Sequence, residues 1–350
     1  MTNLQIQTKT EIGILADYIN EDLSIFVIAE NDINNYPANG GLRLLNYETD
    51  MECIQDGFRL ANLMKTKHEL YSTGFSGGKV VARSSNITSV KTKLISITSE
   101  LLQSLNGKMI TGCDLNTDVN DMENLFKLTP HVLAAINSPV DASTATAMGA
   151  IGAFEAFQTC FNHDLKNGVL VHGCGSVGRK LALELVKKGI KTYVVDLDIK
   201  RTDIPGVISL GNDMRWYMKN FDIIFPCSIS GLINTNISQF LLQTKAIISA
   251  ANAPFTNEVI PKKLVNSNVV IVPDPLVNAG AVIADSIEKY APDAWKRTSP
   301  EKIYNFVKDE VRKKCFIYLS LEQSGLNSPE ILGIIKNENQ QIIGKSFLDT

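Results

Sequence analysis

Neither sign of charge is in excess in this chain. Its 34 Lys and Arg stand against 37 Asp and Glu, leaving −3 over 350 residues. That balance gives no electrostatic footprint for nucleic acid or for an anionic membrane surface. Histidine is sparse: His68, His131, His163 and His172 show no HxxxH or HExxH spacing, so no metal site is expected. The six cysteines (Cys53, Cys113, Cys160, Cys174, Cys227, Cys315) are scattered and form no CxxC pair. Such usage reads as reduced thiols in a cytoplasmic protein. Apolar runs stay under ten residues, too short to span a bilayer. The opening MTNLQIQTKTEIGILADYIN lacks a basic stretch followed by an apolar core, so it is not read as a signal peptide. Repeats and low-complexity segments are absent as well, which removes repeat architectures.

What remains is an ordinary globular composition, 44% hydrophobic and 20% charged. The length suggests about two domains. Residues 1–138 carry extended runs at Leu23–Ala29, Leu42–Leu45 and Lys79–Arg83, with KMITG at 108–112 as a short buried strand. Between them, Ile54, Phe58, Ala61 and Met64 share one helical face, with Asp50 as the expected N-cap and Lys67 at the helix end. A further helix is expected over Val90–Leu105. Residues 139–324 alternate instead: a close-packed Ala- and Gly-rich helix at Ala145–Phe161, then strand and helix in turn. Alternation of this kind predicts βαβ units, a mostly parallel sheet and an α/β fold. From Asp285 to Gln323 one or two long helices are expected, and residues 325–350 are expected to return to the first domain.

The clearest motif is VLVHGCGSVGRKLALELVKKGIKTYVVDLD. Gly173, Gly175 and Gly178 make G-x-G-x-x-G after an apolar strand and at the start of an amphipathic helix, with Asp196 ending the next strand 23 residues beyond Gly173. Gly173 permits the tight turn, Gly175 lets the backbone approach a pyrophosphate, and Gly178 lets helix and strand pack closely. Ser176 and Val177 sit at the helix N-terminus, whose free N–H groups suit phosphate. Asp196 can accept from a ribose 2′-hydroxyl and would repel a 2′-phosphate, which favours NAD. Lys200 and Arg201 lie four and five residues on and leave room for NADP. His172 and Cys174 read as spacers within this turn.

Upstream, Lys67 and Lys79 stand twelve residues apart, Lys79 directly after Gly77–Gly78. Asp114 follows the strand KMITG, and Gly40–Gly41 precede them all. Singly, each lysine is an ordinary surface charge and the aspartate an ordinary turn residue. Together and in this order they resemble the glutamate/leucine/phenylalanine/valine dehydrogenase family. The resemblance rests on Gly40–Arg43 (GGxR), Lys67, Gly77–Lys79, Asp114, the Rossmann segment, Pro226–Cys227, Ala251–Asn252 and Pro273–Ile283.

The resemblance implies a substrate domain and a Rossmann domain flanking a cleft, assembled as a homo-oligomer, a dimer or larger. It implies NAD-dependent, reversible oxidative deamination of an L-amino acid to a 2-oxo acid and ammonium. Lys67 would hold the α-carboxylate, Lys79 would be the general base, and Asp114 would shuttle a proton to or from the amine. Asn39, Gly40, Gly41 and Asn278 would contact substrate. Thr146, Cys227, Ala251 and Asn252 would join the glycine loop and Asp196 around the cofactor.

Several positions depart from the family pattern. Asn39 stands where glutamate enzymes carry a lysine and branched-chain enzymes a leucine, which removes the ionic grip on glutamate without supplying an apolar wall. Gly112-Cys113 replace Ala-Glu, and the small Gly112 is expected to enlarge the pocket. Ser76 replaces the first glycine of GGGK and Leu44 a methionine. A neutral substrate, branched-chain, aromatic or related, is the expectation. Two other readings remain: a shikimate-type Lys/Asp dehydrogenase that needs no ammonia, and a catalytically silent NAD-binding homologue. Retention of both lysines and Asp114 argues against the silent form.

Overall fold

The computed structural model describes residues 12–30, 36–136, 138–338 and 341–349. Most of the opening stretch read for a targeting pattern therefore lies outside the described residues. Two six-stranded sheets organise the chain.

The first sheet begins with the antiparallel pair β1 (Ile12–Ile19) and β2 (Ser24–Glu30). Next come β3 (Ala38–Asn39), β4 (Leu42–Leu45), helix α1 (Asp50–Tyr71), β5 (Ser76–Arg83), α2 (Lys91–Ser104), β6 (Met109–Ile110) and α3 (Val119–Phe126). Strand β5 is central: β2 pairs with it antiparallel, and β3 and β4 pair with it parallel, one after the other along its length. Gly77 to Ala82 on β5 are buried throughout, as a strand covered on both faces should be.

Glycines set the spacing here. A Cβ on Gly40 would stand 1.9 Å from the Gly78 carbonyl oxygen, and one on Gly41 would stand 2.4 Å from the Cys113 carbonyl oxygen. Only bare backbone allows these segments to touch. Their contact brings Lys79 against Asp114. Gly112 serves the same purpose: a Cβ there would meet the Leu133 carbonyl oxygen at 2.4 Å. Gly112 also borders the space between the two sheets, so its missing side chain serves backbone packing at the edge of that space.

Helix α1 differs from the sequence reading at both ends. Thr49, not Asp50, is the N-cap, and its hydroxyl accepts the Glu52 N–H at 3.1 Å. Asp50 instead sits in the first turn, where its charge suits the helix dipole. The helix also runs past Lys67 to Tyr71, because Leu70 and Tyr71 bury themselves in the core of the second sheet's unit.

That unit opens with α4 (Ala142–Phe161) and proceeds through β7 (Val169–His172), α5 (Ser176–Lys187), β8 (Thr192–Val195), β9 (Ile208–Ser209), β10 (Ile223–Pro226), α6 (Thr235–Ser238), β11 (Ala246–Ile248), α7 (Val259–Val265) and β12 (Val270–Val272). All its strands are parallel, in the order β9-β8-β7-β10-β11-β12. Counted within the unit this is 3-2-1-4-5-6, the doubly wound order whose switch point lies between the first and fourth strands. Helix α4 is rich in Ala and Gly because it packs closely. A Cβ on Gly152 would meet the Lys308 carbonyl oxygen at 2.2 Å, and one on Gly149 the Val277 carbonyl oxygen at 2.8 Å.

After α8 (Asp274–Val277), three helices occupy the stretch expected to hold one or two: α9 (Gly280–Tyr290), α10 (Pro292–Arg297) and α11 (Pro300–Gln323). Proline opens both α10 and α11, where its missing N–H costs nothing and it cannot continue a preceding helix. Helix α12 (Ser328–Asn337) runs back against α1, and α13 (Ile343–Ser346) packs on α9 beside the end of α1. Lys336 pairs with Glu69 at 2.5 Å, and the Ile343 N–H donates to the Ser72 carbonyl at 3.0 Å. Among the described residues no helix is long and apolar enough to cross a membrane.

Candidate active site

A cleft of about 830 Å³ separates the two sheets. Lys67, Lys79, Asp114, Asn39, Gly41, Asn278, Thr146, Ser176, Val177 and Asn252 all line it. The topology thus gathers side chains from β3, α1, β5, α4, α5 and the loops after β6, β11 and α8.

Lys79 is its centre. It is 5% exposed, and its Nζ lies 2.6 Å from Oδ2 of Asp114. The same carboxylate accepts from Arg43 Nε at 2.8 Å. Arg43 reaches on to Asp56 at 3.1 Å, and Asp56 accepts from the Tyr47 hydroxyl at 2.7 Å. Burial pushes the Lys79 pKa down, Asp114 pushes it back up, and Arg43 pushes it down again. The balance falls below an ordinary lysine. For Asp114, burial alone would raise the carboxyl; Lys79 and Arg43 reverse that and hold it well below the usual carboxylate range. Arg43 entered the sequence reading only as the end of GGxR, yet it is the second cation on Asp114.

Lys67 is also buried, and burial lowers its pKa to about 8. Asp274 opposes that shift and the charge of Lys79 adds to it. Asp274 accepts the Ala253 N–H at 3.0 Å, which fixes the loop after β11 beside the lysine. Next to Lys67, buried His68 is pushed down to about 3 by burial and stays neutral. Its Nε2 lies 3.3 Å from the Asn39 carbonyl oxygen and its Nδ1 lies 2.7 Å from the Thr73 hydroxyl. Since a carbonyl only accepts, Nε2 carries the proton and Nδ1 accepts from Thr73. Asn278 donates from Nδ2 to Oδ1 of Asn252 at 2.9 Å. Gly40 stands behind this lining, packed on Gly78.

On the opposite wall the glycine loop suits a dinucleotide. Gly173 sits at φ 95°, open to glycine and strained for other residues. A Cβ on Gly178 would meet the Gly173 carbonyl oxygen at 1.8 Å, whereas nothing lies within 4 Å of one on Gly175. Gly175 is the N-cap of α5 and supplies no side-chain cap, so the first N–H groups of that helix are free for phosphate. Asp196 ends β8 with its carboxylate held by two backbone donors, Cys174 N–H at 2.6 Å and Asp198 N–H at 2.9 Å. Cys227 follows β10 across the switch point, its N–H donating to the His172 carbonyl at 2.8 Å. Ala251 lies one residue before Asn252 and is buried. His172 and Cys174 serve the fold: His172 rests on Trp216 at 5.0 Å between ring centres, and Cys174 is buried in the core.

An open parallel sheet whose glycine loop looks across a cleft at buried lysines is the layout of a dinucleotide-dependent dehydrogenase. Residues 195–318 match the family model described as Glutamate/Leucine/Phenylalanine/Valine dehydrogenase. A phenylalanine dehydrogenase of Caldalkalibacillus thermarum is 31% identical over 281 residues, 76% of either chain. An L-tryptophan dehydrogenase of Nostoc punctiforme is 28% identical over 266 residues, 73% of this chain and 74% of that one. The crystal structure of L-tryptophan dehydrogenase from Nostoc punctiforme superposes with a TM-score of 0.71 at 21% identity, covering 96% of each chain. The hetero-hexameric glutamate dehydrogenase of Thermus thermophilus gives 0.75 at 18% identity, over 93% of this chain and 84% of that one. The chain belongs to the glutamate/leucine/phenylalanine/valine dehydrogenase family, and it is an amino-acid dehydrogenase.

Proposed function

We propose that the protein catalyses reversible, NAD-dependent oxidative deamination: an L-amino acid, NAD and water give a 2-oxo acid, ammonium, NADH and a proton. The observation that carries this reading is the buried contact of Lys79 with Asp114 in the same cleft as the glycine loop. Residues 1–138, with the chain's end, form the substrate and assembly domain of a homo-oligomer. Residues 139–324 form the dinucleotide domain.

The steps follow from the charges. Lys67, protonated, holds the α-carboxylate. The 173–178 loop, Asp196, Thr146, Cys227, Ala251 and Asn252 would hold the dinucleotide, which when bound would supply the acceptor for the hydride on the substrate Cα. Burial makes Lys79 give up its proton more readily than an ordinary lysine, and in its neutral form it takes a proton from the water that attacks the substrate imine. Asp114 takes the proton that the substrate ammonium must lose before its Cα can give up a hydride, and returns it to the departing amine. Asn278, tied to Asn252, positions substrate against the nicotinamide side of the cleft. The relatives described above are named for phenylalanine and tryptophan, and Met64, Leu133 and Val282 give the cleft apolar wall for a side-chain stem. The test is NADH oxidation with a panel of 2-oxo acids, with and without ammonium. Ammonium-dependent oxidation supports deamination chemistry. Oxidation without ammonium points to the shikimate-type alternative, and cofactor binding without turnover to the silent homologue.

Two further results are expected. Lys67 must be charged to hold a carboxylate, and its proton is half lost at about pH 8. The KM for a 2-oxo acid, which itself has nothing to titrate there, should rise as pH climbs through about 8 and stay flat below. A KM unchanged to about pH 10 would remove Lys67 from this role. Asp196→Ala should cut kcat/KM for NAD by roughly 10- to 100-fold, the worth of a charged hydrogen bond, and leave NADP the lesser loser. The NAD/NADP ratio is the readout because Asp196 also anchors the Cys174 N–H, a loop effect common to both cofactors. An unchanged ratio counts against the ribose contact.

A further inference from the structure

The cleft has a second charged wall. Helix α9 presents Asp285 and Glu288, one turn apart on the same face, to the cleft that contains Lys67 and Lys79. Asn39 at the end of β3 meets them: its Nδ2 donates to Asp285 Oδ2 at 3.4 Å. Its Oδ1 is buried and has no hydrogen-bond partner, on a residue only 2% exposed. Glu288 accepts the Ala135 N–H at 3.2 Å, and Ala135 holds φ 52° to offer it. That conformation is costly for alanine, so the loop is shaped around Glu288.

Among the described residues no Lys, Arg or His forms an ion pair with Asp285 or Glu288. Burial raises the Asp285 carboxyl well above its usual range, and Glu288 pushes it the same way. Burial brings Glu288 up to about 7. Two carboxylates and an amide oxygen therefore share one wall with acceptors to spare and no cation. Burial drives the wall toward its neutral form; a cation set against it would draw the protons off and pair with the carboxylates, whereas an apolar side chain would leave the acceptors unpaired. A metal ion suits the wall less well: among the described residues no group of three or more His, Cys, Asp or Glu could hold one.

We infer that this wall receives the substrate side chain and that the side chain ends in a cationic nitrogen, an ammonium or guanidinium, whose N–H groups meet Asp285, Glu288 and Oδ1 of Asn39. The inference rests on the deamination reading and replaces the neutral side chain expected from sequence. It explains what Asn39 does. The amide neither repels a cation, as a lysine would, nor leaves the carboxylates dry, as a leucine would; it supplies one more acceptor.

The test compares lysine, ornithine and arginine with leucine, phenylalanine and tryptophan as substrates for NAD reduction. It uses the full chain, Asp285→Asn and Glu288→Gln. One of the cationic amino acids should exceed every uncharged one in kcat/KM by roughly tenfold or more in the wild type. Asp285→Asn should lower that value by roughly 10- to 100-fold while leucine turnover holds or rises. Glu288→Gln should act in the same direction and carries the comparison if the first variant fails to fold. Preference for an uncharged amino acid, or equal losses for both classes in the variants, overturns the proposal. Absence of turnover with every amino acid would instead sink the deamination reading. Thermal-shift titration then judges the wall alone. Stabilisation by ornithine or lysine but not leucine, lost in the variants, supports it; equal or absent shifts overturn it.

Discussion

Lys79→Ala should reduce kcat for deamination by about 10²–10⁴-fold, the range expected when a general base is lost, while NADH binding stays within about twofold of wild type. The separation follows from the fold. Lys79 sits on central strand β5 of the first sheet, whereas the glycine loop and Asp196 belong to the second. Cofactor binding measured by fluorescence and turnover measured by absorbance therefore report on different sheets. The variant should also fold. Asp114 keeps Arg43 at 2.8 Å when the lysine is gone, so no buried carboxylate is stranded. Lys79→Met, which keeps the apolar stem, should be just as inactive if the amine is the proposed base and the stem only packs. Wild-type rates in either variant would remove Lys79 from the mechanism, and parallel losses of turnover and NADH affinity would make its role structural.

The features legible in the sequence were the local ones. The strand, glycine turn, helix and acid of β7 to β8 lie within one continuous segment, so each signal supports the next before any tertiary contact exists. The parallel unit was readable for the same reason. Strands β3 and β6 are two residues each and exist only because Gly40 and Gly78 let the backbones meet. Strand β6 nevertheless falls inside the apolar run KMITG read as a strand from sequence, whereas no such run announces β3. Helix α1 was recognised but closed too early. Its last turn is held by packing from Leu70 and Tyr71 onto the other unit, a force that propensity does not contain.

The site divided in the same way. Lys67, Lys79, Asp114, Asn39, Gly41, Asn278, Thr146, Ser176, Val177 and Asn252 reach one cleft. The acids on α9 were missed because Asp285 and Glu288 look like the solvated face of an amphipathic helix. Nothing local reveals that Asn39, 246 residues earlier, faces them. Asp274 escaped for a similar reason: its charge matters only because α8 lies beside Lys67. Gly112 lines the cleft and also packs on the Leu133 carbonyl, and smallness in a sequence does not say how the space divides between a ligand and a neighbouring backbone.

Asp114→Asn tests the same network from its anionic side and should show two effects that a structural role alone would not produce together. The first is a loss in kcat of about 10²–10³-fold, because the amide cannot pass a proton to the amine. The second is a displaced pH profile in the activity that survives. Asp114 is the group that raises the Lys79 pKa against burial and Arg43. Removing its charge disfavours the protonated amine, so Lys79 should lose its proton at lower pH. The rising limb of kcat/KM should move toward acid, and the falling side set by Lys67 near pH 8 should move less, because Asp114 is the smallest of the charges acting on Lys67. Stability should drop too, by up to about 3 kcal/mol, since Lys79 and Arg43 would face each other with Asp56 as the nearest anion. That cost should shrink at high pH, where neutral Lys79 no longer repels Arg43, and the Tm difference between variant and wild type should narrow accordingly. A kcat loss with an unmoved limb would mean that Asp114 does not set the protonation of Lys79. The base would then have to be sought elsewhere in the cleft.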